Sequence, residues 1–334
     1  MKRMLLAEET LFKDEEAFSF DHVPDVFSFR DSQLHAMATA LKPARRSRKA
    51  ANLLLIGAPA TGKTTAVKII FDQLSGPFCV RINSEIAASP YRVFSEIHRK
   101  ILGFLPPDTG ISLPAIYDKI FGRLVREKKY LIVALDDIQY LLSDMNKVLY
   151  DLLRAAEAYP GVGVSVIAVT DKNIMQKLDD KVRSVFQPEE IRFPEYAAEE
   201  TLQILKQRRD AGLYAGVLED SLLREIADAT YAKHDLRFGI EAIRKAAVNA
   251  EADASLSIER KHIVLEEASL PKEESELLSF IPPEGIKSGE LYSFVEEKMG
   301  YTKFYRVLQR LEAANAIETE AIRGAGNTRL IKKR

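Results

Sequence analysis

The amino-acid sequence predicts an α/β protein built on a parallel sheet, followed by a small all-helical unit and a C-terminal helix-turn-helix that closes with a β-hairpin. Two changes of pattern carry this reading. Short runs rich in Val, Ile and Leu alternate with helix-competent segments as far as Phe193, the pattern of buried parallel strands joined by crossover helices. Beyond Pro194 the strand runs stop, helical spacing takes over, and only the last stretch returns to strand-like segments around a glycine turn.

Element by element, residues 52–56, 78–82, 131–135, 164–169 and 190–193 read as the strands. Helical segments at 65–74, 91–102 and 114–128 separate them; Ile116, Ile120 and Leu124 in the last of these fall at helical spacing. Residues 198–211, 220–232, 237–254 and 259–268 read as four further helices, and a polar linker opens at Pro271. In the final unit, 288–299 and 302–314 read as helices around a tight turn at Gly300-Tyr301, and 317–322 and 328–332 as strands flanking a turn at 323–327. The expected organisation is thus an α/β base at 1–195, a helical unit at 196–270 and a winged-helix unit at 273–334.

The chain has 334 residues, 46% hydrophobic and 29% charged, with 48 Lys and Arg against 49 Asp and Glu. A net charge of −1 excludes a protein basic all over and leaves room for a local basic patch. Arg45-Arg46-Ser47-Arg48-Lys49 is such a run, read first as a solvated loop. Cys79 is the single cysteine, so no intramolecular disulfide forms, and it is expected in the core. The five histidines show no metal-ligand spacing. The longest apolar stretch, 162–169, is far short of a membrane span and the N-terminus lacks a signal-peptide pattern, so a cytoplasmic location without membrane partners is expected.

Chemistry concentrates first at Gly57-Ala58-Pro59-Ala60-Thr61-Gly62-Lys63-Thr64, which fits G-x-x-x-x-G-K-[ST] and stands between a strand and a helix. Glycines let backbone N–H groups turn inward around phosphate oxygens, and the following helix N-terminus, opening with Thr65, favours negative charge. Lys63 is expected on the β- and γ-phosphates of ATP or ADP, and the Thr64 hydroxyl on Mg²⁺. The strand 131–135 runs into Asp136-Asp137. Asp136 is assigned to support Mg²⁺, and Asp137 to polarise an attacking water. The strand 164–169 ends at Thr170-Asp171. In an AAA+ arrangement a polar residue here senses the γ-phosphate, and Arg237 in the helical unit reaches the same phosphate.

A second concentration lies at the C-terminus. Phe304, Leu308 and Leu311 form one apolar stripe, while Lys303, Arg306 and Arg310 share another face. From Tyr301 onward eight basic residues oppose three acidic ones, a local balance of +5. Lys303, Arg306 and Arg310 on a recognition helix, with Arg323 and Arg329 flanking the wing turn, suit double-stranded DNA.

The order of these motifs resembles the AAA+ replication initiators of archaea, related to the eukaryotic origin recognition complex and its cell-division-control partner, over nearly the whole chain. Val23-Pro24 and Arg30-Asp-Ser-Gln33 resemble the family's N-terminal box. Ser89-Pro90-Tyr91-Arg92-Val93 resembles the segment after its second strand, and the run 178–184 its post-sensor motif. Tyr214-Ala-Gly-Val-Leu218 resembles its Tyr-Pro-Gly-Val-Leu loop, and Asp235-Leu-Arg237 its second sensor. The resemblance implies an ATP-dependent initiator that recognises origin DNA and recruits a replicative helicase, with Val23, Pro24 and Tyr214 beside the nucleotide and a DNA-touching insertion within 84–111. Three positions depart from the family. Asp137 stands where Glu is usual, Asp171 where Asn is usual, and Val185, two residues after Arg183, where eukaryotic relatives carry an arginine finger. Slow hydrolysis is therefore expected. Two other readings share parts of this pattern, a transposition or plasmid-partition adaptor and a STAND-type signalling ATPase with the winged helix as an internal lock. The 214–218 loop together with the terminal wing favours the initiator over the adaptor.

Overall fold

The apolar runs of the first half pair side by side into one parallel sheet. In this computed structural model the described residues are 10–107, 110–265, 272–282, 285–296, 299–313, 316–321 and 329–333. The strands are β1 (Leu53–Ile56), β2 (Phe78–Asn83), β3 (Tyr130–Asp136), β4 (Gly163–Thr170) and β5 (Glu189–Arg192), in spatial order β2-β3-β4-β1-β5. Every pairing is parallel; Leu55 lies opposite Val169 and Ile191, and Leu135 opposite Ile82 and Ala168. Because β1 sits between β4 and β5, its C-terminal end opens beside the ends of β3 and β4, which places the loop after β1 near Asp136 and Asp171.

Both faces of the sheet are covered, as an all-parallel sheet requires. On one face α1 (Asp31–Leu41) and α2 (Lys63–Gln73) pack Met37, Leu41, Val67 and Ile70 against Leu53, Leu55, Ile132 and Val169. On the other face α3 (Pro90–Leu102), α4 (Leu113–Glu127), α5 (Met145–Leu153), α6 (Ala155–Ala158) and α7 (Asp180–Phe186) bury Phe94, Phe121, Leu149 and Phe186 against Val133 and Val166. Local chemistry sets the ends of these helices. Ser89 accepts the Arg92 N–H at α3, with Pro90 in the first turn and Gly103 beyond the last at φ +92°. Cys79 is only partly covered by the α2-side core, and burial there raises its thiol to about 12.

Beyond Pro194 come α8 (Ala198–Gly212), α9 (Asp220–Ala232) and α10 (Leu236–Ala252). The expected fourth helix at 259–268 is not formed over its described part. Only Arg260–His262 make a single 3-10 turn, and 263–265 are irregular. The Glu259 N–H donates to His262 Nδ1 at 3.0 Å, and His262 Nε2 meets Asp253 at 3.2 Å, so the turn is closed by a side chain that a longer helix would carry away.

The chain separates into two compact units, Met1–Ile263 and Val264–Arg334. The second contains α11 (Lys272–Ser279), β6 (Ile286–Lys287), α12 (Ser288–Ser293), α13 (Tyr301–Ala313), β7 (Ile317–Ala321) and β8 (Arg329–Lys333), with an antiparallel sheet in the order β6-β8-β7. Leu277, Leu291, Phe304, Val307, Leu308, Leu311 and Ile331 form its core. This is a winged helix. α12 is shorter than the expected 288–299; it ends at Ser293, where the Phe294 N–H turns back to Leu291 and Tyr292. The two-residue β6 is too short to show strand alternation in the sequence, and the wing turn containing Arg323 lies outside the described residues.

Candidate nucleotide site and nucleic-acid interface

The loop after β1 owes its shape to close backbone approach. Gly57 donates its N–H to Thr170 O at 3.3 Å, and a Cβ on Gly57 would stand 2.3 Å from the Phe193 carbonyl oxygen. Gly62 has φ +92°, and a Cβ there would meet Phe27 Cζ and the Tyr196 hydroxyl at 2.9 Å. Thr61 Oγ1 donates to Ala58 O at 2.8 Å across the loop. Ala60 has φ +59°, and Thr65 lies in the first turn of α2.

Lys63 is buried and donates to Gly57 O and Ala58 O, each at 2.7 Å. Burial lowers its pKa below the ordinary lysine value; Asp137, Asp136 and Asp171 oppose that shift, and Arg237 adds to it. The sequence-predicted site residues Asp136, Asp137, Asp171 and Arg237 therefore all act electrostatically on Lys63. Thr64 Oγ1 donates to Asp136 Oδ1 at 3.1 Å, and Arg81 Nη1 stands 3.1 Å from Asp136 Oδ2. Burial raises the Asp136 carboxyl above the ordinary carboxylate range; Thr64 opposes the shift, Asp137 adds to it, and Arg81 opposes it.

Asp137 adopts φ +53°, a left-handed conformation that Asp tolerates better than most residues, and accepts from Gln139 Nε2 at 3.4 Å. Gln139 Oε1 and Asp171 Oδ1 are both buried polar atoms without a hydrogen-bond partner. At the N-terminus of α10, Asp235 accepts the Arg237 N–H at 2.9 Å, fixing the start of the helix that carries this exposed arginine.

The other expected site residues lie outside this hydrogen-bonded group. Val23 and Pro24 line a cavity of about 690 Å³ with Phe27, Phe29, Ile69 and Gln203. Tyr214 is exposed in the turn after α8, its N–H donating to Leu11 O. Among the described residues, no hydrogen bond joins Val23, Pro24 or Tyr214 to the phosphate loop. Arg183 is folded onto its own segment, donating to Met175 O at 3.2 Å and Leu178 O at 2.8 Å.

Arg30 organises the site, although the sequence marks it only as part of an N-terminal box. It is 2% exposed and donates to Thr61 O, Phe29 O and Pro194 O at 3.0, 2.8 and 2.6 Å, with its guanidinium 3.8 Å from the centre of the Tyr196 ring. A second connection is the segment preceding α1. Lys68 of α2 bonds Asp21 at 2.6 Å, while Arg208 of α8 donates to Ala17 O at 2.8 Å and Glu251 of α10 accepts the Leu11 N–H at 2.7 Å.

In the winged helix, α13 buries Phe304, Val307, Leu308 and Leu311 and exposes Lys303, Arg306 and Arg310. Arg329 opens β8 with its side chain exposed and its N–H donating to Ser288 Oγ at 3.1 Å. Among the described residues no group of acidic, His or Cys side chains is arranged to hold a metal on its own, and no helix is long and apolar enough to cross a membrane.

A glycine loop from β1 into α2, an aspartate ending β3 and three helices following the sheet define an AAA+ ATPase. Residues 26–169 match the AAA ATPase domain family, and residues 202–268 match the Cdc6 AAA+ ATPase-type lid domain. The chain belongs to the archaeal ORC1-type family of DNA replication proteins. It is 39% identical to ORC1-type DNA replication protein 2 of Methanothermobacter thermautotrophicus, over 99% of this chain and 94% of that protein. It is 35% identical to ORC1-type DNA replication protein 3 of Haloarcula marismortui, over 98% and 94%. In fold it is similar to the Aeropyrum pernix ORC1 protein solved in complex with DNA, with a TM-score of 0.79 at 24% identity over 98% of this chain and 94% of that one.

Proposed function

We propose that this chain is an ATP-dependent replication initiator that binds origin DNA through its winged helix. The observation that carries the reading is the division of α13 into a buried apolar stripe and an exposed face of Lys303, Arg306 and Arg310, in a member of a DNA replication family. A helix so divided offers cations to a duplex without disturbing its own core.

The phosphate-loop residues fit an adenine nucleotide with Mg²⁺. The loop has backbone room where Gly57 and Gly62 exclude side chains, and Lys63 sits among the carboxylates with ammonium donors now spent on loop carbonyls. Thr64 and Asp136 present the oxygen donors that a hard divalent cation prefers. The bound nucleotide and metal would supply the phosphoryl group and the charge neutralisation of its transfer to water. Asp137 is the group to polarise that water, and the unpartnered Asp171 oxygen and Arg237 are the polar groups available to the terminal phosphate. Asp137 is one methylene shorter than the family's usual glutamate, so turnover is slow and the protein rests nucleotide-loaded in the cytoplasm, associated with the nucleoid. Recruitment of a replicative helicase completes the assignment.

Binding titrations on origin-like and scrambled duplexes test it. The full chain is expected to prefer the origin-like duplex, and Arg306→Ala to lose that preference by about 1–3 kcal/mol. Equal affinity for both duplexes in the wild type, or unchanged preference in Arg306→Ala and Arg310→Ala, would overturn the DNA-reading role.

A further inference from the structure

Asp136 has two carboxylate oxygens, and the protein commits both. Oδ1 accepts from Thr64, as the phosphate-loop reading expects, but Oδ2 faces a guanidinium. Arg81 comes from β2, an edge strand, at a register position opposite Ala134, and reaches along β3 to Asp136. Its neighbours Val80 and Ile82 pack into the core on the α3 side, whereas Cys79 packs on the α2 side, so strand alternation puts Arg81 on the same side as α2. The Arg81 side chain is 33% exposed and that of Asp136 only 8%. A carboxylate so buried is costly without a partner, and an arginine stays charged throughout the physiological range. Around the loop, Lys63, Arg81 and Arg237 balance Asp136, Asp137 and Asp171. Removing Arg81 leaves the carboxylates in excess where a polyphosphate must arrive.

We infer that Arg81 is a positioning residue that serves Asp136 as a resident cation. It aims the carboxylate at Thr64 and compensates its charge before any divalent metal arrives, and it competes with that metal for the same carboxylate. The inference rests on the nucleotide reading above. It implies that nucleotide binding to this chain depends only weakly on Mg²⁺, and that the dependence becomes strong when Arg81 loses its charge.

The test is binding of a fluorescent ADP analogue to the full chain in EDTA and across a Mg²⁺ series, for wild type, Arg81→Met and Arg81→Lys. The wild-type dissociation constant is expected to change by no more than about threefold between EDTA and saturating Mg²⁺; in Arg81→Met the ratio grows by about tenfold, the scale of one charge-assisted contact. Arg81→Lys, which keeps the charge, stays near the wild type. A protein that merely needs Arg81 for packing would lose affinity equally with and without metal, and that result overturns the inference. So does a wild type whose affinity depends on Mg²⁺ by more than about thirtyfold, a measurement that stands even if Arg81→Met does not fold. Wild type that binds the analogue under neither condition refutes the nucleotide reading itself, and the inference with it.

Discussion

The phosphate site and the basic face of α13 are built in opposite ways. At the phosphate site, groups from α2, β2, the ends of β3 and β4, and α10 converge; Lys63 and Asp136 are buried, and Asp136 is held by Thr64 and Arg81, partners far away in the chain. On α13 the cations sit on one helix, exposed, and their alignment follows from helical periodicity alone. Convergent buried sites fail as units when one member is removed, whereas exposed rows of like charge lose affinity in small and nearly additive steps.

The largest effect expected from this contrast is at Arg30. Arg30→Met strands the carbonyls of Thr61, Phe29 and Pro194 and removes the stacking on Tyr196, costing about 3–4 kcal/mol of stability in urea unfolding of the full chain. A loss under about 1 kcal/mol would show the site to be less cooperative than its geometry indicates. Next, Lys63→Ala removes a direct phosphate contact and should weaken ATP binding by about 1.5–3 kcal/mol; calorimetry giving equal affinities would sink the assignment of the loop.

Asp137→Glu restores the reach typical of the family and is expected to raise the single-turnover hydrolysis rate by about tenfold, a part of what ångström-scale placement commands. A rate that stays level or falls would show that side-chain length is not the limit. The positive φ at Asp137 makes this a sharper test, because a glutamate must accept a conformation that suits aspartate better. The smallest effect belongs to the exposed face. Arg329→Ala should lower the slope of log affinity against log salt by about one unit and weaken all duplexes alike. A change of sequence preference in that variant would move the wing from phosphate contact to base reading.

Much of this architecture was legible because it follows local rules. The strands fall within a residue or two of the expected runs; β1, β3 and β4, buried on both faces, need unbroken apolar ones. The loop at 57–64 was readable because its glycines answer a backbone requirement, and α10 starts where Asp235 can accept an N–H. The partners of Arg30 were not legible: they are backbone carbonyls, at Thr61 and Pro194, which any residue offers. Arg81 was hidden for a related reason. It meets Asp136 only because β2 pairs with β3 in one register, and a lone arginine in an apolar strand carries no sign of it. The turn at 260–262 reads as a helix in the sequence because the side chain of His262 closes it, an effect periodicity does not register.

The segment before α1 has a consequence for how the protein is made. Phe18 is sealed against Gly212, Phe12 pairs with Leu213, and the Leu11 N–H waits for Glu251, a partner 240 residues further on. The ribosome therefore releases these aromatic rings roughly 200 residues before the surface that buries them. At about 5–20 residues per second, the N-terminal segment stays uncovered for about 10–40 s after it leaves the exit tunnel. For that interval its rings lack the surface that buries them, and the sheet behind it has to assemble without it.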